Sequence, residues 1–435
     1  MILGFGKNNK QADEGPDEEY ELISFQGPVS GNPPKLNENP GLVRAGLIPA
    51  KEIVSDAVSR DAQLLRLDPK GAGFIGMMMV DGMKYPGPRL PKQQGNAVTQ
   101  MLKLLAGLSI QERKKPQRGA IKAEFEGQPY EVVIDVTPTP EGERLGIYMS
   151  NLKTRPSKPE DVGISDELKE RIRELASEKQ GLIGVCGGPR SGLTTSTVGV
   201  VRSVDAYVMG VFTLFDTGLW EIPYVTKFEG EEGDDLETTI ARAQRSEAEV
   251  AYCPPVKSED NARVLLEAAS KSTIIAEFPA RDSVSGLMQL LKWTGNKELV
   301  AGNTKAIITS KLLRRLCNSC KQAYAPNPNL LAKIGLPKET KALFRHRVQP
   351  QELQRGEVWE SCPKCGDLGY HGQVAIFEML EITEGMQEVI LGKPSPDAIR
   401  QQMKKDGATT LQKDGLRLVA AGTTSLEELQ RAFKS

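Results

Sequence analysis

Two sets of residues in this 435-residue chain have the types and spacing to do chemistry. The first is Gly187-Gly188-Pro189-Arg190-Ser191-Gly192-Leu193-Thr194-Thr195, which follows an apolar run at 181–186 and opens a helical stretch from Thr194. A G-x-x-x-x-G loop between a strand and a helix wraps phosphates with its backbone N–H groups. A Lys after the second Gly then reaches the β/γ-phosphates, and a Ser/Thr hydroxyl holds magnesium. Gly187, Gly188, Ser191, Gly192, Thr194 and Thr195 are therefore nucleotide-binding candidates, with Arg190 as a cation within the loop. The Lys position holds Leu193. A hydrogen bond to a charged group contributes roughly 1.5–3 kcal/mol, so its loss costs about ten- to hundredfold in affinity.

The second set is Cys317-x-x-Cys320 and Cys362-x-x-Cys365. Each pair sets two thiolates close enough to share an ion, and two pairs complete a tetrahedral, structural zinc site with no open position. His371 then has no vacancy to fill, and His346, in a basic stretch at 344–347, is expected to face solvent. Arg314, Arg315, Lys321 and Lys364 are placed to offset the charge of a zinc tetrathiolate. Cys186 and Cys253 sit in apolar strand-like runs and read as core.

The elements that must position these groups alternate. Helix 166–179 precedes strand 181–186; then come strands 209–215 and 249–253, helix 258–270, strand 273–278, helix 283–292 and strand 305–309. That alternation implies a largely parallel sheet with helices on both faces and ligands at the carboxyl ends of its strands. Upstream, residues 41–152 read as a smaller α+β domain, with strands 74–80 and 130–136, a helix at 97–108, a turn at Asp81-Gly82 and a loop at 137–142. Met77, Met78 and Met79 fit core or interface filling. Residues 1–40, with Asp13, Glu14, Asp17, Glu18 and Glu19, read as a disordered acidic lead, and 153–165 as a linker. The remaining divisions are a nucleotide-binding domain at 166–316, a cysteine region at 317–382 and a C-terminal helical unit at 383–435. In that last unit Ser425-x-x-Glu428 fits a capping box.

Composition narrows the partners. A net charge of -1 and 5% aromatic residues argue against a nucleic-acid groove. No apolar run approaches the roughly 20 residues that span a bilayer, and the start of the chain lacks a signal peptide's basic region, so a cytoplasmic location is expected.

With these pieces in order, the chain resembles the secretion ATPases of type II secretion and type IV pilus assembly. The resemblance covers about residue 50 to the C-terminus. It rests on Leu312-Leu313-Arg314-Arg315-Leu316-Cys317-x-x-Cys320-Lys321, on Cys362-Pro363-Lys364-Cys365-x-x-x-Gly369-Tyr370-x-Gly372-x-x-x-Ile376-Phe377-Glu378, and on Asp414-Gly415-Leu416 with the tail 422–428. The 105–117 stretch resembles the family's N-terminal domain. The resemblance implies a RecA-like P-loop ATPase domain, ATP and magnesium between two domains, and a hexamer docked through partners on an inner-membrane platform.

Residue by residue the chain departs from that pattern. Leu193 replaces the family's Lys and Arg190 a Gly; Phe215 replaces the first Glu of an acidic box, leaving Asp216 as the sole catalytic candidate. Pro255 stands where the family places the Glu near magnesium and water, both box histidines are absent from 271–282, and Met77-Met78-Met79 replaces nucleotide-facing arginines. Arg113 is the surviving phosphate-contact candidate, or else a solvated member of Arg113-Lys114-Lys115. Phosphoryl transfer depends on positioned charge, so these losses point to a structural or regulatory pseudo-ATPase, in a homomeric ring or mixed with an active paralogue. The alternative is a working ATPase in which Arg190 or Lys271 supplies the cation and Glu277 the carboxylate.

Overall fold

The computed structural model describes residues 21–31, 33–156, 158–336, 339–347 and 359–434. The acidic cluster at 13–19 lies outside them. The chain divides into two compact units, 1–80 with 84–153, and 81–83 with 154–435.

In the first unit a seven-stranded sheet packs against two helices. Its elements are β1 (Ser24–Pro28), α1 (Pro40–Ser59), β2 (Ala62–Lys70), β3 (Gly73–Val80), β4 (Met83–Pro91), α2 (Lys92–Leu105), β5 (Gln117–Phe125), β6 (Gln128–Thr139) and β7 (Gly142–Asn151), with sheet order β1-β5-β6-β7-β2-β3-β4. Three expectations change here. Part of the stretch expected to be disordered is ordered, because Ser24–Pro28 pairs antiparallel with β5 and Ile23 is fully buried. A 20-residue helix, α1, is missing from the sequence reading. Its Pro49 and small residues mask a buried face of Gly46, Ala50, Ile53, Val54 and Ala57 at helical spacing, and a Cβ at Gly46 would sit 2.6 Å from the Ala97 carbonyl oxygen of α2. Residues 137–139 are strand rather than loop, so β6 and β7 meet in a tight hairpin at 140–141. The turn at Asp81-Gly82 is present, both residues at positive φ (48° and 76°) between β3 and β4, as a two-residue hairpin loop requires.

The second unit begins with α3 (Pro159–Val162) and α4 (Asp166–Ser177). It continues through β8 (Gly181–Gly187), α5 (Leu193–Ser203), β9 (Val211–Thr213), β10 (Thr226–Lys227), α6 (Leu236–Arg245), β11 (Val250–Tyr252), α7 (Glu259–Ala268), β12 (Thr273–Pro279), α8 (Ser283–Thr294), α9 (Lys297–Asn303) and β13 (Thr304–Leu316). After these come β14 (Gln322–Tyr324), α10 (Pro328–Ile334), β15 (Leu343–Arg345), β16 (Tyr370–Glu381), α11 (Glu384–Leu391), α12 (Pro396–Lys405), α13 (Leu411–Ala420) and α14 (Leu426–Lys434). The main sheet runs β10-β9-β11-β12-β8-β13-β16, parallel from β10 to β13, with β16 antiparallel on the edge. One face packs against α4 and α5, the other against α6 to α9 with α11 and α12. Strand β8 is buried along its whole length, as a central parallel strand must be.

The separate cysteine region and helical unit merge into this body. β16, assigned by sequence to the cysteine region, pairs with β13 from Ala306↔Glu381 to Leu316↔Tyr370. Met386, Ile390 and Ile399 join the core under the sheet, while Leu418, Val419 and Leu429 pack with Leu313 and Ile376. The capping box is half formed. Ser425 Oγ accepts the Glu428 N–H at 3.0 Å, but the Glu428 carboxylate turns to Arg314 and Arg431 at 2.7 Å. A short carboxylate in a row of basic side chains finds the stronger, charge-assisted partners.

Candidate functional site

The glycine-rich loop lies between β8 and α5 at the carboxyl end of the sheet. Ser191 N–H donates to the Gly188 carbonyl at 3.2 Å, Arg190 takes φ 63°, and Gly192 takes φ 73° just before α5. A Cβ at Gly187 would meet Ser191 Oγ, which would have to rotate away. No side chain caps α5. The first turn of that helix therefore has backbone N–H groups with no capping side chain.

The charges around this cradle have changed. Leu193 packs half-buried on the α5-side core, together with Phe215, Trp220 and Leu312. Phe215 meets Tyr252 edge-on, ring centroids 4.9 Å apart. Arg190 is exposed on the loop. Lys271 cannot stand in for the missing Lys. It precedes Thr273, which pairs with Gly181, whereas the loop follows Gly187, which pairs with Pro279, so about 20 Å of strand separates the two ends. Asp216 is a surface residue: its carboxylate accepts the Gly218 N–H and lies 3.6 Å from Lys227 Nζ. Arg113 is exposed on a loop of the first unit that is held by a fully buried Lys103, whose ammonium donates to the Glu112 carbonyl and to Glu143, both at 2.7 Å.

Glu277 is the carboxylate that meets the loop. From β12 it accepts from Thr194 Oγ1 at 3.0 Å and lies 3.1 Å from Thr197 Oγ1, with only 7% of the residue exposed. Burial raises its pKa, opposed by those two hydroxyls and by Lys257. Beside it, the segment after β11 runs along β12: Cys253 N–H donates to the Ile275 carbonyl and Val256 N–H to the Glu277 carbonyl. The buried hydroxyls of Tyr252 and Thr213, one register row on neighbouring strands, have no partner among the described residues. Tyr252 escapes a sequence reading because only the strand register sets it opposite Ile275, two residues before Glu277 and on the same face of the sheet.

The four cysteines converge as expected. Their sulfurs lie within 4.8 Å of one another, with Cys317 and Cys362 at 3.8 Å and Cys320 and Cys365 at 3.5 Å. Tetrahedral Zn–S bonds of about 2.3 Å place sulfurs roughly 3.8 Å apart, so the set fits such an ion. Backbone N–H groups of Cys365 and Lys364 draw the Cys362 thiol down to about 7. Cys186 and Cys253 are buried core residues, and burial pushes the Cys186 thiol up to about 12. Of the four basic residues expected to offset the cluster's charge, Arg314 pairs with Glu428, whereas Arg315 donates to the Gln373 and Asp161 carbonyls and Lys321 to the Gly422 carbonyl. His346 also differs from expectation. It is half-buried against Tyr370, its Nδ1 3.2 Å from Glu427.

Residues 45–431 match the family model described as Type II/IV secretion system protein. The type IV pilus assembly ATPase PilB of Thermus thermophilus is 25% identical over 384 residues, covering 87% of this chain and 42% of that protein. PilB of Myxococcus xanthus is 26% identical over 388 residues, covering 87% and 66%. The chain thus spans less than two thirds of either relative. Among solved structures, the Legionella pneumophila ATPase DotB superposes with TM-score 0.54 at 11% identity, over 89% of this chain and 96% of that one. The ADP-bound pilus retraction motor PilT gives 0.51 at 14% identity, over 88% and 96%. These two likenesses establish a shared mixed α/β fold. With a family match across most of its length, the chain belongs to the type II/IV secretion system protein family.

Proposed function

We propose that this chain is a structural or regulatory pseudo-ATPase subunit of a secretion or pilus assembly machine. The observation that carries the reading is Leu193, an apolar side chain packed on the core where a phosphate-binding loop needs its cation. Phe215 and Pro255 remove two further charges. Removing a single transition-state donor often costs roughly 10²–10³ in rate, and several are missing together. The unit at 154–435 acts as a RecA-like P-loop domain that retains its scaffold, with zinc at Cys317, Cys320, Cys362 and Cys365 fixing the ends of β13 and β16. It assembles in a ring, with copies of itself or with an active paralogue, on the cytoplasmic side of an inner-membrane platform. Among the described residues no helix is long and apolar enough to cross a membrane.

A second reading, an active ATPase with a rearranged site, draws its support from the contact between Glu277 and Thr194. Magnesium-dependent ATP binding and hydrolysis by the zinc-replete protein separates the two. The expected result is no turnover by the wild type. Turnover that disappears in Arg190→Ala would replace the pseudo-ATPase reading with an enzyme whose cation has moved within the loop.

A further inference from the structure

We propose that Glu277 is a relocated metal-side carboxylate, so that Thr194 and Glu277 form a divalent-cation site that outlived the phosphate-binding lysine. The assignment rests on reading the 187–195 loop as a former nucleotide site, and it stands apart from whether turnover survives.

Three observations support it. Phosphate loops hold magnesium through the Ser/Thr that follows the Lys position, backed by an acid from a neighbouring strand. Here that residue is Thr194, and its hydroxyl donates to Glu277 Oε1 at 3.0 Å, which leaves the oxygen's lone pairs for a metal. The second oxygen of Glu277 lies 3.1 Å from Thr197 Oγ1, whose single proton is shared with the Leu193 carbonyl at 2.9 Å, so both carboxylate oxygens contact the first turns of α5.

The position the family gives to its acid is occupied by Pro255, and the segment carrying Pro255 is hydrogen-bonded to the backbone of Glu277 through Val256. The carboxylate has therefore shifted by one strand within the same corner of the sheet. Finally, the neighbouring strand sets Tyr252, 1% exposed with a hydroxyl that has no partner among the described residues, opposite Ile275 on the face Glu277 shares, so the carboxylate lies in a dry corner. Burial, and then the charge of Glu277, push that hydroxyl's pKa up. The Glu277 carboxylate and the Thr194 hydroxyl are hard oxygen donors held 3.0 Å apart. Magnesium and manganese suit such a set, since Mg²⁺ keeps several waters and needs only one or two carboxylates.

The test is Mn²⁺ binding to the full chain, zinc retained and no nucleotide added, read from the free-ion electron paramagnetic resonance signal. Glu277→Gln is isosteric and keeps the hydroxyl contacts but removes the charge. We expect it to weaken Mn²⁺ binding at least tenfold, with Thr194→Ala weakening it several-fold and the exposed control Asp260→Asn leaving it unchanged. Glu277→Asp, which restores the charge at shorter reach, should bind between wild type and Glu277→Gln, and thermal melts of all variants check folding. Absence of Mn²⁺ binding in the wild type, equal binding by Glu277→Gln, or an equal loss in Asp260→Asn overturns the proposal. A second arm uses Leu193→Lys, in which ATP affinity should rise with Mg²⁺ and lose that dependence when Glu277→Gln is added; ATP affinity indifferent to both also overturns it. ATP turnover by the wild type would instead overturn the pseudo-ATPase reading and leave the Glu277 assignment to the Mn²⁺ measurement.

Discussion

The glycine-rich loop and the four-cysteine cluster sit in one unit of one chain, yet they depart from their family pattern to very different degrees. At the loop Gly192 takes a positive φ that favours glycine and Gly187 packs against Ser191, while Leu193, Phe215 and Pro255 stand where the sequence resemblance expects charged groups. At the cluster every ligand persists, and the surrounding contacts persist with it: Cys317 N–H donates to the Gly369 carbonyl and Leu316 N–H to the Thr423 carbonyl. The contrast follows from what each group is needed for. A phosphate-facing Lys does its work on a ligand, so a Leu that finds core to pack against replaces it at little cost in stability. A cysteine of a structural metal set would hold the fold itself, and an apolar replacement would leave that set incomplete.

The largest expected effect breaks the cluster. Stripping the metal with a chelator, or substituting Cys365→Ser, should lower the melting temperature by more than about 10 °C, because binding at such sites is folding free energy of roughly 10–16 kcal/mol in small zinc domains. Metal analysis of the native protein should find about one zinc per chain. An unchanged melt of the metal-free protein would remove the contrast.

Next in size is Glu428, whose buried carboxylate ties Arg314 of β13 to Arg431 of α14. Glu428→Ala leaves two guanidinium groups without their shared partner and should cost about 3–5 kcal/mol in denaturant unfolding. Burial tends to raise the pKa of Glu428, but hydrogen bonds from Arg431 and Arg314 outweigh it and hold the carboxyl below its ordinary value. Its contribution is therefore complete above the unfolded value of roughly 4.3 and is lost as pH falls through the lower folded value. The stability gap between wild type and Glu428→Gln should accordingly close in acid. A gap that widened there would show that the network carries the opposite sign.

The smaller effects concern the loop. Gly187→Ala forces a Cβ against Ser191 and should destabilise by about 1–3 kcal/mol. Leu193→Lys surrenders a half-buried apolar contact worth about 1 kcal/mol, and in exchange should raise ATP affinity by about ten- to hundredfold. A stability loss of several kcal/mol in Leu193→Lys, with no gain in binding, would mean that Leu193 is structural in the same sense as the cysteines.

Much of this was legible in advance where one residue type has one physical use. The two C-x-x-C pairs, the glycine spacing and the alternation of apolar strands with helices each fixed a local arrangement that the structure contains. Less legible were features whose signal is spread over small or polar residues. Helix α1 hides behind Pro49 and a face of Gly and Ala, and β1 lies in a stretch rich in Pro and Gly whose burial depends on pairing with β5. Glu277 was visible as a carboxylate in an apolar strand, but which partners it meets depends on the helix laid over it.

The amino-acid order alone determined the family, the strand–loop–helix that carries Gly187 to Thr195, the apolar Leu193 within it, and the four cysteines that cluster, because these are properties of residue type and short spacing. Tertiary structure decided the rest. It joined β16 to β13 across more than fifty residues of sequence, making one body of what read as three. It placed Lys271 at the far end of a strand from the loop, and it brought Glu277 onto Thr194 across a separation of 83 residues. Contacts of that kind arise from sheet register and helix packing, which no local pattern encodes.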